Sequence, residues 1–201
     1  MAFSQAGRVT NTLSFKDDDG KVATSTGIEA FLFKDSKLSL AAVFDSNGTD
    51  ANEILISDEI ANKLLGQGGA DFLFGGAGDD ELRGGAGLDA LTGGLGSDQF
   101  IFDTTPNAKI NLDRITDFDA TSDKVVLDDA IFTKLTGFDF STNFIAASKA
   151  KDTNDFLIYD AKTTILSYDE DGSGKASSVA IAKIELLGQS ITLDELDFVI
   201  A

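Results

Sequence analysis

Histidine, cysteine and tryptophan are all missing from this chain of 201 residues. Without histidine there is no HExxH zinc-protease motif, no Ser-His-Asp triad and no Cys-His pair. Without cysteine no disulfide supplies the stability that extracellular proteins often take from one. Basic residues are scarce, 16 against 34 acidic ones, for a formal charge of −18. Nucleic acid is held by clustered Lys and Arg, so that class of partner is excluded. The same acidity argues against a hold on anionic lipid. No run approaches the roughly 20 apolar residues of a transmembrane helix, and the opening MAFSQAGRVTNT lacks the charged and apolar regions of a Sec leader. Neither GxxxxGK nor GxGxxG occurs, which removes the P-loop and the dinucleotide fingerprint. Carboxylate-pair catalysis survives on composition, but nothing points to it.

What the chain has is a period. GQGGADFLF (66–74), GGAGDDELR (75–83), GGAGLDALT (84–92) and GGLGSDQFI (93–101) follow one another without a break. They align as G-G-x-G-x-D-x-U-x, with U a large apolar residue. The acids are Asp71, Asp80, Asp89 and Asp98, and the apolar residues Leu73, Leu82, Leu91 and Phe100. A weaker copy precedes them, with Asn62 in the acidic slot and Leu64 in the apolar one. A flexible Gly-rich linker has no reason to place an apolar residue at every ninth position. Each unit reads as six turn residues and about three strand residues, with one inward side chain per strand.

If two units make one coil, turns eighteen residues apart stack, Asp71 over Asp89 and Asp80 over Asp98. Stacked strands lie about 4.8 Å apart, and calcium takes oxygen ligands at about 2.3–2.6 Å. An ion between stacked turns would reach carboxylates and main-chain carbonyls from both. The spacing suits calcium better than magnesium, which wants about 2.0–2.1 Å. The candidate carbonyl donors are Gly66, Gly68, Gly75, Ala77, Gly84, Ala86, Gly93 and Leu95, beside the four aspartates and Asn62.

These units resemble the calcium-binding nonapeptide of the RTX (repeats-in-toxin) family. The resemblance implies an all-β fold: a parallel β-roll with flanking strands and a C-terminal antiparallel cap containing a short helix. It also implies several calcium ions, export by a type I secretion machinery and folding outside the cell. Residues 103–201 are similar to the tails of serralysin-type proteins in DRITDF (113–118), YDEDGSG (168–174) and DELDFVIA (194–201). By that resemblance Asp113 and Asp117 complete the last site, against the alternative of solvated acids at a strand end. Asp169 and Asp171 open a D-x-D-x-S-G stretch like half an EF-hand loop. Its twelfth position, where a bidentate Glu belongs, is Ala180, so a tight polar turn stands beside the calcium reading.

The expected organisation is an N-terminal β extension of the solenoid or truncated domain (1–57), the roll (58–103) and a cap ending in a secretion signal (104–201). Strands are expected at Val9–Phe15, Ile28–Phe33, Leu38–Phe44 and Glu53–Ile56, where β-branched and aromatic residues alternate with turns. Asp45, Asn47 and Asp50 fit either an ordinary turn or one more cation. LDDAIFTKL (127–135) predicts a short capping helix with Asp128 at its N-cap. Phe156–Tyr159 and Ile165–Tyr168 predict a hairpin, followed by a strand at Val179–Leu187 and a last strand within Ile191–Ala201. The end at Ala201 reads as a natural C-terminus and the start as arbitrary. The function expected is a non-enzymatic calcium-binding module of a secreted or bacterial cell-surface protein. A calcium-triggered assembly module of an S-layer or adhesin is the first alternative, and a calcium-dependent carbohydrate-binding module the second.

Overall fold

A computed structural model describes residues 46–57, 59–137, 139–173, 177–186 and 193–201, with the strand segments 12–16, 22–26, 31–32 and 39–42. β1 (Thr12–Lys16) and β2 (Val22–Thr26) form an antiparallel pair. β3 (Phe31–Leu32), β4 (Ser39–Ala42), β5 (Ser46–Asn47) and β6 (Glu53–Ile56) lead into the repeats. There the chain alternates between two sheets. β6, β8 (Phe72–Ala77), β10 (Ala90–Leu95) and β12 (Asp113–Phe118) lie in one. β7 (Lys63–Leu65), β9 (Glu81–Arg83), β11 (Gln99–Phe102) and β13 (Lys124–Leu127) lie in the other. Every pairing within these two sets is parallel. The fold is an all-β parallel roll.

The apolar slot of the repeat dictates this arrangement. In a strand alternate side chains face alternate sides, so one residue per short strand points inward. Leu55, Leu73, Leu91 and Ile115 stand in register across one sheet, and Leu64, Leu82, Phe100 and Val125 across the other. All eight are fully buried. A slip of one residue would turn the whole set to solvent.

The roll continues into the cap. β14 (Phe144–Ala146), β15 (Leu157–Asp160), β16 (Ile165–Tyr168) and β17 (Val179–Leu186) extend the first sheet, and β18 (Phe198–Ile200) extends the second. The cap is only partly antiparallel. β15, β16 and β17 run antiparallel as a meander, whereas β17 joins β12, β14 joins β15 and β18 joins β13 in parallel. The helix expected over 127–135 does not form. Leu127 pairs with Ile200 at the end of β13, and only Thr133–Leu135 make a 3₁₀ turn. Asp128 is no N-cap; it closes a turn by accepting from the Ala130 amide at 2.8 Å. Ile131, Phe132 and Leu135 look helically spaced because Phe132 and Leu135 enter the core from a loop. Phe132 meets Tyr168 edge-on, with centroids 5.3 Å apart. The short helix is instead α1 (Phe140–Asn143), with Asp139 accepting from the Ser141 amide as N-cap.

At the N-terminal end, β2 and β5 were not expected, and Asp45 lies outside the described residues, as do Val9 to Asn11. Among the described residues no helix is long and apolar enough to cross a membrane, which says nothing of a β-barrel.

Candidate metal centre

Each nonapeptide makes its turn at the edge of the roll, and the turns stack as the strands do. Gly78, at φ +110°, shows why the turn needs glycine: a Cβ there would run into the main chain of Ile60 and Ala61 in the coil before. Stacking creates two ladders of acidic or amide side chains, Glu53–Asp71–Asp89–Asp113 and Asn62–Asp80–Asp98–Asp123. In the first, the amide of Glu53 donates to Asp71 Oδ1 at 2.8 Å, that of Asp71 to Asp89 Oδ1 at 2.8 Å and that of Asp89 to Asp113 Oδ1 at 3.1 Å. In the second, the amides of Asn62, Asp80 and Asp98 donate to Oδ1 of Asp80, Asp98 and Asp123 at 2.8, 2.9 and 3.1 Å. Asp71 thus stacks on Asp89, and Asp80 on Asp98, as the eighteen-residue spacing predicts.

One oxygen of each carboxylate is used in this way. The other Oδ2 of Asp71, Asp89 and Asp98 is buried with no hydrogen-bond partner. Buried polar atoms are paired in the great majority of cases, so three orphans in equivalent positions call for a ligand. Each looks into a cradle. A Cβ on Gly66 would meet both Asp71 Oδ2 and the Gly84 carbonyl, and one on Gly75 would meet Asp80 Oδ2 and the Gly93 carbonyl. Glycines at 84 and 93 leave the same space beside Asp89 Oδ2 and Asp98 Oδ2. A carboxylate and a main-chain carbonyl converging on one space form a hard oxygen donor set of the kind calcium takes. Among the described residues no three acidic side chains converge, so such a set depends on main-chain carbonyls as well as carboxylates.

Electrostatics agree with this demand. Burial, backed by neighbouring carboxylates, pushes Asp71 up to about 7, Asp98 to about 6 and Asp113 to about 8. Asp89 and Asp123 are raised for the same leading reason. Without a cation Asp71 and Asp113 keep protons in part near neutrality, and a divalent ion would displace them.

The remaining sequence candidates fall in different places. Gly68 and Ala86 bridge stacked turns, the Gly68 amide donating to the Thr49 carbonyl and the Ala86 carbonyl accepting from Gly69, both at 3.1 Å. Ala77 and Leu95 pair across β8 and β10, and Leu95 is 76% exposed. Asp117 leaves the ladder and clamps the last turn, accepting from the amides of Gly93 at 3.0 Å and Gly94 at 2.9 Å. Asp169 and Asp171 sit far along the chain in a polar turn, accepting from the amides of Gly172 and Ser173. Asn47 and Asp50 are exposed beside the first turn. Two ladder residues escaped the sequence reading, Glu53 and Asp123. Glu53 lies eighteen residues before Asp71 and could have been found by counting back. Asp123 could not, because a longer connection stretches the spacing from Asp98 to 25.

A two-sheet parallel roll edged by cradled carboxylates is a cation-binding solenoid. Four copies of the RTX calcium-binding nonapeptide repeat match residues 65–100, so the chain carries an RTX-type calcium-binding repeat module. Among solved structures, the chain is similar to the AlgE6R3 subunit from the Azotobacter vinelandii mannuronan C5-epimerase. The two are 29% identical, with 66% of this chain and 70% of that one covered and a TM-score of 0.41. No curated protein matches the chain.

Proposed function

We propose that this chain is a non-enzymatic module of a secreted or bacterial cell-surface protein, and that it folds on extracellular calcium after type I export. The observation that carries the reading is the set of buried, unpartnered carboxylate oxygens facing carbonyls across stacked glycine cradles. The ions would be held by Asp71, Asp80, Asp89 and Asp98 with the carbonyls of Gly84 and Gly93, and Asp113 closes the first ladder. β3 to β6 act as an extension of the solenoid, whose sheets they join, and 104–201 as its cap. Asp169 and Asp171 act as turn formers.

Where calcium is scarce, the acidic turns repel one another and the chain stays open enough to be threaded outward. Where calcium is abundant, ion binding draws the turns together over the leucine ladder. Ligand at 100 times its dissociation constant adds about 2.7 kcal/mol per site, so three or four sites add about 8–11 kcal/mol, comparable to the whole margin of a typical domain. Export is supported by the likeness of the DELDFVIA ending to secretion signals. Far-UV circular dichroism and size, read in EGTA and then in calcium, test the reading. A gain of β-signal and compaction on adding calcium is expected; equal spectra and size in both would overturn it.

One observation favours calcium-triggered self-assembly as a second reading. Ile56, Phe72 and Phe74 stand exposed on the outer face of β6 and β8, with Ile56 beside Phe74. Light scattering through a calcium titration separates the readings: rising mass supports assembly, and a constant monomer removes it.

A further inference from the structure

The first turn of the roll has the same geometry as the interior turns but a different chemistry. A Cβ on Gly48 would meet Glu53 Oε2 and the Gly66 carbonyl, as one on Gly66 would meet Asp71 Oδ2 and the Gly84 carbonyl. Gly48-Thr49-Asp50-Ala51-Asn52-Glu53 is therefore a turn of the same kind, lying before the four matched repeats. At Asp71, Asp89 and Asp98 the inner oxygen is orphaned. At Glu53 both oxygens are held within the turn. The Thr49 amide donates to Oε2 at 2.7 Å, and the Thr49 hydroxyl to Oε1 at 2.9 Å.

This closed turn hands on its order. The Glu53 amide donates to Asp71 Oδ1, and that bond leaves Oδ2 turned to the cradle of Gly66 and Gly84. The second ladder starts in a similar way. Asn62 places a neutral amide in the acid slot, its Nδ2 donates to the Ile60 carbonyl in its own turn, and its main-chain amide orients Asp80.

We propose that Thr49 and Glu53 form a starting turn that needs no cation, and that they act as positioning residues for the first calcium cradle, Asp71 with Gly84. The inference rests on the calcium reading and concerns which end of the ladder is preorganised. Side chains that orient a metal ligand typically change metal affinity about 10–100-fold when lost.

The test is a calcium titration of the full chain followed by amide NMR turn by turn, with total stoichiometry from calorimetry. Thr49→Val combined with Glu53→Gln should weaken calcium at turns 66–71 and 84–89 by about tenfold. The 75–80 and 93–98 turns and the number of ions should not change, and Thr49→Ser alone should behave as the parent. Equal midpoints in parent and double variant would overturn the proposal. So would the loss of one ion, which would make Glu53 a ligand. Should the double variant fail to fold, Thr49→Val alone is titrated in its place, and the same outcomes decide. A parent that takes up no calcium at all would sink the calcium reading itself, a result distinct from these.

Discussion

The roll and its cap both bury acids, and they use them in opposite ways. In the cap, Asp155 is buried, yet its carboxylate accepts from the amides of Lys151 at 2.6 Å and Asp152 at 3.2 Å. Asp123, where the second ladder ends against the cap, likewise takes the amides of Asp98 and Asp119 and the hydroxyl of Ser122. Asp169 and Asp197 each close a turn of their own, taking the amides of Gly172 and Asp194. In the roll, Asp71, Asp89 and Asp98 each keep one oxygen out of any hydrogen bond. Burial alone therefore does not mark a metal ligand. A buried acid taken up by the amides of its own turn stabilises that turn, whereas one that also leaves a buried oxygen orphaned depends on something from outside.

Removing calcium should separate the two regions most. In EGTA the amides of β8 to β11 should lose protection by more than a typical domain margin of about 5 kcal/mol. Those of β15 and β16, whose turns are closed by side chains, should lose less. Hydrogen exchange followed by mass spectrometry reads both segments at once.

Acidity should then substitute for the ion in part. Asp71, Asp98 and Asp113 bind protons more tightly in the roll than at the ordinary aspartate value of 3.8, titrating at about 7, 6 and 8. Raised folded-state values mean that protonation favours the fold. Its contribution is full below about pH 4 and is lost as pH climbs through 6 to 8. In EGTA the melting temperature should therefore rise as pH falls from 8 to 5. In calcium the trend should reverse, since bound ion requires the carboxylate, and uptake near neutrality should release protons measurable by calorimetry in buffers of different ionisation enthalpy.

Single substitutions sharpen the contrast. Asp155→Ala should destabilise by about 1–3 kcal/mol, with or without calcium, because it removes charge-assisted hydrogen bonds to two turn amides. Asp89→Asn should weaken calcium-dependent folding while leaving the EGTA form unharmed or slightly firmer, since it removes a buried charge. Urea melts in both conditions check the pair. The smallest effect belongs to the surface. Arg114 meets Glu185 at 2.6 Å, an exposed pair, and Arg114→Ala should leave both melts close to the parent.

Much of the roll was legible because its determinants are local and periodic. Nine-residue spacing put Leu73, Leu82 and Leu91 inside and placed Asp71 over Asp89. What escaped lies where the period breaks. The stretch from Asp103 to Leu112 lengthens one coil, so Asp113 and Asp123 follow their partners by 24 and 25 residues. Within it, Asn111 reaches back to accept from the Gly87 amide and Thr104 donates to the Gly85 carbonyl, contacts that no repeat pattern announces. The predicted helix at 127–135 failed because pairing of Leu127 with both Phe102 and Ile200 holds the start of that segment extended. Four-residue α1 is too short to leave a periodic trace. Glu53 was passed over because the repeat consensus asks for aspartate.

Anomalous scattering from crystals grown in saturating calcium tests the central claim most directly. The account predicts a peak between Asp71 Oδ2 and the Gly84 carbonyl and another between Asp80 and the Gly93 carbonyl. Cradles that hold only water, with those aspartates turned to other partners, would contradict it.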